Sequence, residues 1–286
     1  MQGGIMKFGI HAGIWMKEWT DDPVPLFERA ATVGFEGVEV SLLGIGLNEA
    51  PALRGAAERA GISLTCSTGL GASEDPTSGD PDVRAAACAA LRRAIQVTAE
   101  LGSPSLAGVV AAPWGVFDPL RKPERARRAA ETLGRMQPVL EETGVVLGIE
   151  AINRFETDLT CTAEEAVAIA EASGADNVGV LLDTFHMNIE EKDPPAAIRA
   201  SGHKLVHFHV SDCDRGVPGS ARYDFKADAE ALRDIGYRGW IVAEMFVRPG
   251  YPSSRDLNIW RDVEPDADRA AAEALKHMKR VFADVG

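Results

Sequence analysis

Along the chain, short runs of β-branched and aliphatic residues alternate with longer, alanine-rich segments whose apolar residues recur every three or four positions. The runs begin at MKFGIH (Met6), GVEVSL (Gly37), ISLTCS (Ile62), SLAGVV (Ser105), VVLGIE (Val145), VGVLLD (Val178), LVHFHV (Leu205) and WIVAEM (Trp240). Short apolar runs of this kind predict buried strands. Segments such as PLFERAATVG, PDVRAAACAALRRAIQVTAELG and TAEEAVAIAEASG predict helices, several of them stopping at Gly. The eight runs start at intervals of 25 to 43 residues. Strand–helix alternation implies parallel strands joined by right-handed crossovers. Eight such units in about 250 residues or more predict an α/β fold of the (β/α)8 TIM-barrel type. A doubly wound open sheet is the alternative, but the segment after the first run, HAGIWMKEW, carries neither GxGxxG nor GxxxxGK[ST]. With no linker or low-complexity tract to divide it, residues 1–286 are expected to form a single barrel domain.

Composition narrows the partners. The net charge of −13 argues against nucleic acid or an anionic membrane, both of which require a basic face. No run approaches the roughly 18 apolar residues of a membrane helix. The N-terminal MQGGIMKFGI lacks the pattern of a signal peptide. Cys66, Cys88, Cys161 and Cys213 are scattered without CxxC or zinc-knuckle spacing. Reduced thiols in a cytoplasmic protein are the economical expectation.

In a barrel of this class the chemistry collects at the C-terminal ends of the strands. The last four apolar runs end at, or one residue from, Glu150, Asp183, His209 and Glu244, separated by 33, 26 and 35 residues, about one βα unit each time. Four such residues at matching heights on neighbouring strands would converge. Three carboxylates at close range repel one another unless a cation lies between them. One imidazole among three carboxylates is a hard, oxygen-rich set that favours Mn²⁺, Mg²⁺ or Co²⁺ over a structural zinc. His186, three residues past Asp183, is expected in the following loop, within reach of a ligand at that metal or simply at the surface. His207 shares strand parity with His209 and is expected one layer deeper, as a core histidine or a partner of the ligands. A metal with spare carboxylates suits proton abstraction beside a carbonyl, with an enediolate stabilised. Two bases on opposite faces would invert a stereocentre, whereas one base would isomerise an aldose and a ketose.

The stretches IEAINRFETD (149–158), LLDTFHMNIEE (181–191), HFHVSDCDRGVPG (207–219), ALRDIGYRGWIVAEMFVR (231–248) and NIWRD (258–262) resemble the ketose 3-epimerases of the xylose-isomerase-like barrel superfamily. That group contains the D-tagatose, D-psicose (D-allulose) and L-ribulose 3-epimerases. The resemblance implies that Glu150, Asp183, His209 and Glu244 bind Mn²⁺ or a similar ion. It also implies that Glu150 and Glu244 double as the acid–base pair at C3, and that Glu156, His186 and Arg215 contact the ketose C1–C3 oxygens. Blander roles exist for two of these: Arg215 could pair with Asp212 or Asp214 on a solvated loop, and Glu156 could be a helix-entry charge. The first half is looser. Family members often end their first strand with a pocket tyrosine, and His11 stands at that place here. Trp15 and Trp114 are expected to form the aromatic wall for the far end of the sugar, with core packing as the competing reading. Cys66 and Ser67 are candidates for the same lining. The family is commonly dimeric or tetrameric, so a homodimer or homotetramer is expected, with the segment after Trp260 available to pack on a neighbour.

Rival readings share the barrel. An aldose–ketose isomerase, or an epimerase or isomerase of hydroxypyruvate or inosose type, would use the same metal without requiring His186, Glu156 and Arg215 in these contexts. A metal-dependent abasic-site endonuclease would need several zinc ions and a basic face, which six histidines and a charge of −13 do not supply. A non-catalytic sugar-binding barrel would bind a ketose without exchanging its C3 proton.

Overall fold

The eight apolar runs become eight short strands: β1 (Lys7–His11), β2 (Gly37–Ser41), β3 (Ser63–Gly69), β4 (Ser105–Val109), β5 (Val146–Ala151), β6 (Val178–Asp183), β7 (Leu205–Val210) and β8 (Trp240–Ala243). The computed structural model describes residues 6–283. The first residues of the MQGGIMKFGI stretch, read above for a signal peptide, lie outside that range. All neighbouring strands pair in parallel, and β8 returns to β1, closing the barrel in the order β1 to β8. β2 and β6 are buried at every position. That is the physical reason these strands read as continuous apolar runs: helices cover one face and the barrel interior the other.

The helices are α1 (Val24–Val33), α2 (Ala50–Ala60), α3 (Pro81–Glu100), α4 (Lys122–Gly134), α5 (Gln137–Thr143), α6 (Ala163–Ala172), α7 (Thr184–Glu190), α8 (Pro194–Ser201), α9 (Phe225–Asp234), α10 (Pro252–Asp256) and α11 (Ala267–Phe282), with short 3₁₀ turns between some of them. Their starts follow local chemistry. Thr162 Oγ1 accepts from Glu165 N at the head of α6, and Asp183 Oδ1 accepts from Phe185 N at the head of α7. Asp183 is thereby both the last residue of β6 and the cap of the next helix, which holds its carboxylate at the strand end. α11 turns the face containing Ala271, Ala274, Leu275 and Met278 inward and packs against α1 and α9. The segment after Trp260 therefore closes the helical ring of its own barrel. Among the described residues no helix is long and apolar enough to cross a membrane.

Gly108 is a close-approach position. Its φ is +131°, and a Cβ there would lie 2.2 Å from the Thr68 carbonyl oxygen. Only glycine lets β4 run this close to β3 at the barrel mouth.

Candidate active site and metal centre

Glu150 from β5, Asp183 from β6, His209 from β7 and Glu244, just past β8, are all buried and meet at one point, each offering a ligand atom within 4.8 Å of the others. The arrangement follows from strand order, because consecutive strands carry the four residues to the same end of the barrel. Neither ring nitrogen of His209 makes a hydrogen bond of ordinary geometry, although both are fully buried. Its Nδ1 lies 3.5 Å from Glu244 Oε1. Three buried carboxylates around an uncommitted imidazole nitrogen fit a divalent cation by charge and by donor type.

The surroundings push the acidic groups apart. Burial, reinforced by the Glu244 charge, holds Glu150 well above the ordinary carboxylate range. Burial also pushes Asp183 up to about 6, against the pull of Arg215. Burial would raise Glu244 as well, but His209 and Arg215 outweigh it and hold that carboxyl well below its usual value. The His209 imidazole is raised well above its ordinary value by Glu39 and Glu244, against the cost of burial.

Arg215 projects into this cluster. Its Nη1 donates to Asp183 Oδ2 at 2.8 Å and to Glu244 Oε2 at 2.7 Å, and the guanidinium stacks 4.1 Å from the centre of the Phe185 ring. Arg215 has φ +65°, a left-handed conformation that costs roughly 1–2 kcal/mol for a residue with a side chain. Asp212 holds the loop that imposes it. The Asp212 carboxylate accepts from the backbone N–H groups of Cys213, Gly219 and Ala221, and its carbonyl accepts from Arg215 N. The expected alternative, Arg215 paired with Asp212 or Asp214 in solvent, is not what forms; Asp214 pairs with Arg261.

His186 is buried in α7, beside the quartet and not in an open loop. Burial and the Arg215 charge hold its imidazole well below the usual range, so it is neutral. Asn153 N donates to its Nδ1 at 3.1 Å, and Arg215 Nη2 lies 3.1 Å from its Nε2, which is 3.6 Å from Glu150 Oε1. Glu156 is likewise buried. One carboxylate oxygen accepts from Asn153 Nδ2 at 2.8 Å and the other from Trp114 Nε1 at 3.1 Å, so Glu156 aims the Trp114 ring. That contact, and not a helix entry, is where Glu156 sits.

A cavity of about 460 Å³ opens above the cluster. It is lined by Glu150, Glu156, His186, His209, Arg215 and Glu244 at its floor, and by His11, Ser67 and Trp114 among its walls. Asp183, fully buried, lies beneath. Gly13 N donates to His11 Nδ1, so Nε2 carries the proton and donates to Ser67 Oγ at 3.1 Å. Cys66 faces the core instead, and burial pushes its thiol up to about 12.

One expected wall residue is elsewhere. Trp15 does not line the cavity: its indole nitrogen donates to Asp268 at the start of α11, and Arg29 stacks over its ring. Trp19 takes that place, packed edge-on against Phe246 and His11 at ring distances of 5.8 and 6.3 Å. The physical reason is that Trp15, directly after the 3₁₀ turn at Ala12–Ile14, is held by its bond to Asp268 and its stacking with Arg29. Phe246 and Asp256 also line the cavity and carry no strand-end signal in the sequence. Glu39, in the middle of β2, is a further buried acid close to His209, and its only sequence signal is a charge inside an apolar run.

Comparison with known proteins agrees with this architecture. The model of the xylose isomerase-like TIM barrel family matches residues 27–281. A D-psicose 3-epimerase from Agrobacterium fabrum is 36% identical over 93% of this chain and 93% of its own length. An L-ribulose 3-epimerase from a Methylomonas species is 29% identical over 97% of this chain and 98% of its own. A crystal structure of a D-psicose 3-epimerase in the presence of D-fructose superposes with a TM-score of 0.93 at 35% identity, covering 97% of this chain and all of the other. The chain belongs to the xylose isomerase-like TIM-barrel family and, within it, to the ketose 3-epimerases, which are isomerase-class enzymes.

Proposed function

We propose that this enzyme inverts C3 of free ketoses of the D-tagatose, D-fructose/D-psicose or L-ribulose class by removing the C3 proton and returning one to the opposite face. The observation that carries the reading is the convergence of Glu150 and Glu244 with Asp183 and His209 on one point at the floor of the cavity. Those four residues would hold a divalent ion, with Mn²⁺ favoured and Co²⁺ or Mg²⁺ alternatives for the same hard donor set. When bound, such an ion polarises the ketose carbonyl and lowers the acidity barrier at C3.

Glu150 and Glu244 come from strands separated by β6 and β7, so they approach a sugar on the floor from different sides. In the metal-free protein burial raises Glu150 while His209 and Arg215 lower Glu244, an asymmetry in the direction required of an acid and a base acting in one direction. The reverse reaction exchanges the roles. Arg215 offers donors to the oxygens that gain negative charge in the enediolate, His186 contacts the same part of the sugar beside it, and Glu156 offers an acceptor to a hydroxyl. Trp114, Trp19 and Phe246 shield the reacting carbon from water.

Metal-stripped protein restored with Mn²⁺ and incubated in D₂O with each ketose tests this. Deuterium at C3 together with the C3 epimer, only with metal present, is the expected result. Exchange at C1 with aldose formation would make the enzyme an isomerase, and binding without exchange would make it a sugar-binding barrel. Four cysteines without disulfides suit a reducing, cytoplasmic compartment. Exposed Leu120, Phe155 and Trp260 supply apolar surface for the homodimer or homotetramer we favour, which light scattering would size.

A further inference from the structure

Glu39 lies in the barrel interior, fully buried in the middle of β2, and its carboxylate bridges two histidines of β7. Oε2 is 2.6 Å from His207 Nε2, Oε1 is 2.9 Å from His209 Nε2, and Thr65 Oγ1 donates to Oε2 at 3.0 Å. The two imidazoles meet edge to face, with centroids 5.0 Å apart and planes at 78°. A carboxylate in a barrel core costs several kcal/mol unless it is paired, so this one is there for its partners.

An ionised carboxylate only accepts, so a ring nitrogen held against it must carry the proton. His209 Nε2 is thereby committed as an N–H. The lone pair is left on Nδ1, the nitrogen that faces Glu244 on the other edge of the ring. Glu39, His207 and His209 could themselves be read as three ligands of a second ion. The 2.6 Å between Glu39 Oε2 and His207 Nε2 argues otherwise, because it is closer than two ligands of one ion stand. Glu39 is also not among the residues lining the cavity, so it acts on a bound sugar only through another group.

We propose that Glu39 is a positioning residue of the metal centre: its carboxylate, 2.9 Å and 2.6 Å from the Nε2 atoms of His209 and His207, draws the proton of each ring to Nε2 and so leaves Nδ1 of His209 as the ligand atom. This rests on reading Glu150, Asp183, His209 and Glu244 as a metal centre. His207 serves as the second anchor of the carboxylate and, one layer deeper, is not a fifth ligand.

The test titrates Mn²⁺ into metal-stripped wild type and Glu39→Gln by calorimetry, alongside urea unfolding of both metal-free proteins. Glu39→Gln keeps the volume but removes the charge and sets an amide N–H₂ against one of the rings. Its Kd for Mn²⁺ should rise about 10- to 100-fold. An unchanged Kd, or a lower metal-free stability with no change in Kd, would overturn the proposal. Histidine ¹⁵N NMR of the wild type, loaded with diamagnetic Mg²⁺ or Zn²⁺, whichever a parallel calorimetric titration shows to bind, needs no variant. The proton of His209 should sit on Nε2, and a proton on Nδ1 would refute the assignment. If the wild type binds no divalent ion the metal-centre reading falls and takes this one with it. Binding by the wild type with an unaffected variant defeats this inference alone.

Discussion

Arg215 and Asp183, a left-handed loop residue and the last residue of β6, are joined by a buried hydrogen bond of 2.8 Å. The same guanidinium nitrogen also reaches Glu244, so one side chain balances two of the three carboxylates. Removing one partner of a buried ion pair leaves an uncompensated charge and costs about 3–5 kcal/mol. Arg215→Ala should therefore lose about 3 kcal/mol of stability to urea in EDTA, and less than half of that with saturating Mn²⁺, which takes over the charge balance. Its kcat/KM should fall about 100-fold or more, since a hydrogen bond to a charged group is worth up to about 3 kcal/mol. Equal losses with and without metal would show that Arg215 and the ion do not share these carboxylates.

Glu150→Gln and Glu244→Gln preserve size and hydrogen-bonding capacity while removing the ability to carry the C3 proton. A positioned acid or base is worth about 10²- to 10⁴-fold in rate. Each variant should lose at least that much turnover, with the far-ultraviolet circular dichroism of the parent. Deuterium wash-in at C3 of the substrate, measured in both reaction directions, reports which carboxylate serves which face. Normal turnover in either variant would defeat the two-carboxylate mechanism.

Removal of the metal should abolish epimerisation and lower thermal stability together. An ion that binds only the folded chain contributes about 2.7 kcal/mol at a hundredfold excess over its Kd, which for a chain of this size raises Tm by roughly 5 °C. A calorimetric scan of the chelated protein, repeated after adding back Mn²⁺, Co²⁺ or Mg²⁺, ranks the ions by the Tm each restores. Activity that survives exhaustive chelation would rule out the metal reading.

The barrel and its four strand-end residues are legible in the sequence because parallel strands buried on both faces leave uninterrupted apolar runs. A lone acid or histidine at the end of such a run then stands out, as in VLGIE and VGVLLD. Glu39 is not legible in the same way: in GVEVS, alternation reads it as a solvent-facing residue of a half-buried strand, whereas here both faces are buried. Arg215 and Glu156 are ordinary loop charges until the fold is known, because Asp183, which pairs with Arg215, and Trp114, which Glu156 aims, lie about 30 or more residues away on other βα units. Trp15 and Trp19 both follow the 3₁₀ turn Ala12–Ile14 within a few residues, and no hydrophobic period decides which of two nearby loop tryptophans faces inward.

Asp228, on α9 far from the reacting centre, carries a pH effect of definite sign. It is buried, and that burial raises its carboxyl from 3.8 to about 7, with the Tyr223 hydroxyl offsetting part of the cost. The folded protein thus holds this proton more tightly than the unfolded chain does. Its stability is fully present below pH 3.8, falls as pH climbs toward 7, and carries the whole penalty above that. Asp228→Asn removes the ionisation. Its advantage over the parent in urea unfolding should be near zero at pH 4 and grow to as much as about 4 kcal/mol by pH 8. A difference independent of pH would mean that the carboxyl is solvated in the native state.

Three tryptophans give the sharpest test of the pocket. Trp19 lines the cavity against Phe246 and His11, and Trp114 lines it under the control of Glu156, whereas Trp15 is bound to Asp268 and Arg29 outside it. Truncating an aromatic wall that packs on a sugar costs about 1–3 kcal/mol of binding, because apolar contact is lost and water enters. Trp19→Ala should raise KM for a ketohexose about 10-fold or more. The effect should be smaller for a ketopentose, which reaches less far from the floor. Trp15→Ala should leave both KM values within about twofold and register instead as a loss of stability of about 1–2 kcal/mol, from the broken hydrogen bond and cation–π contact. If Trp15→Ala, and not Trp19→Ala, impairs ketohexose turnover, the wall has been assigned to the wrong ring.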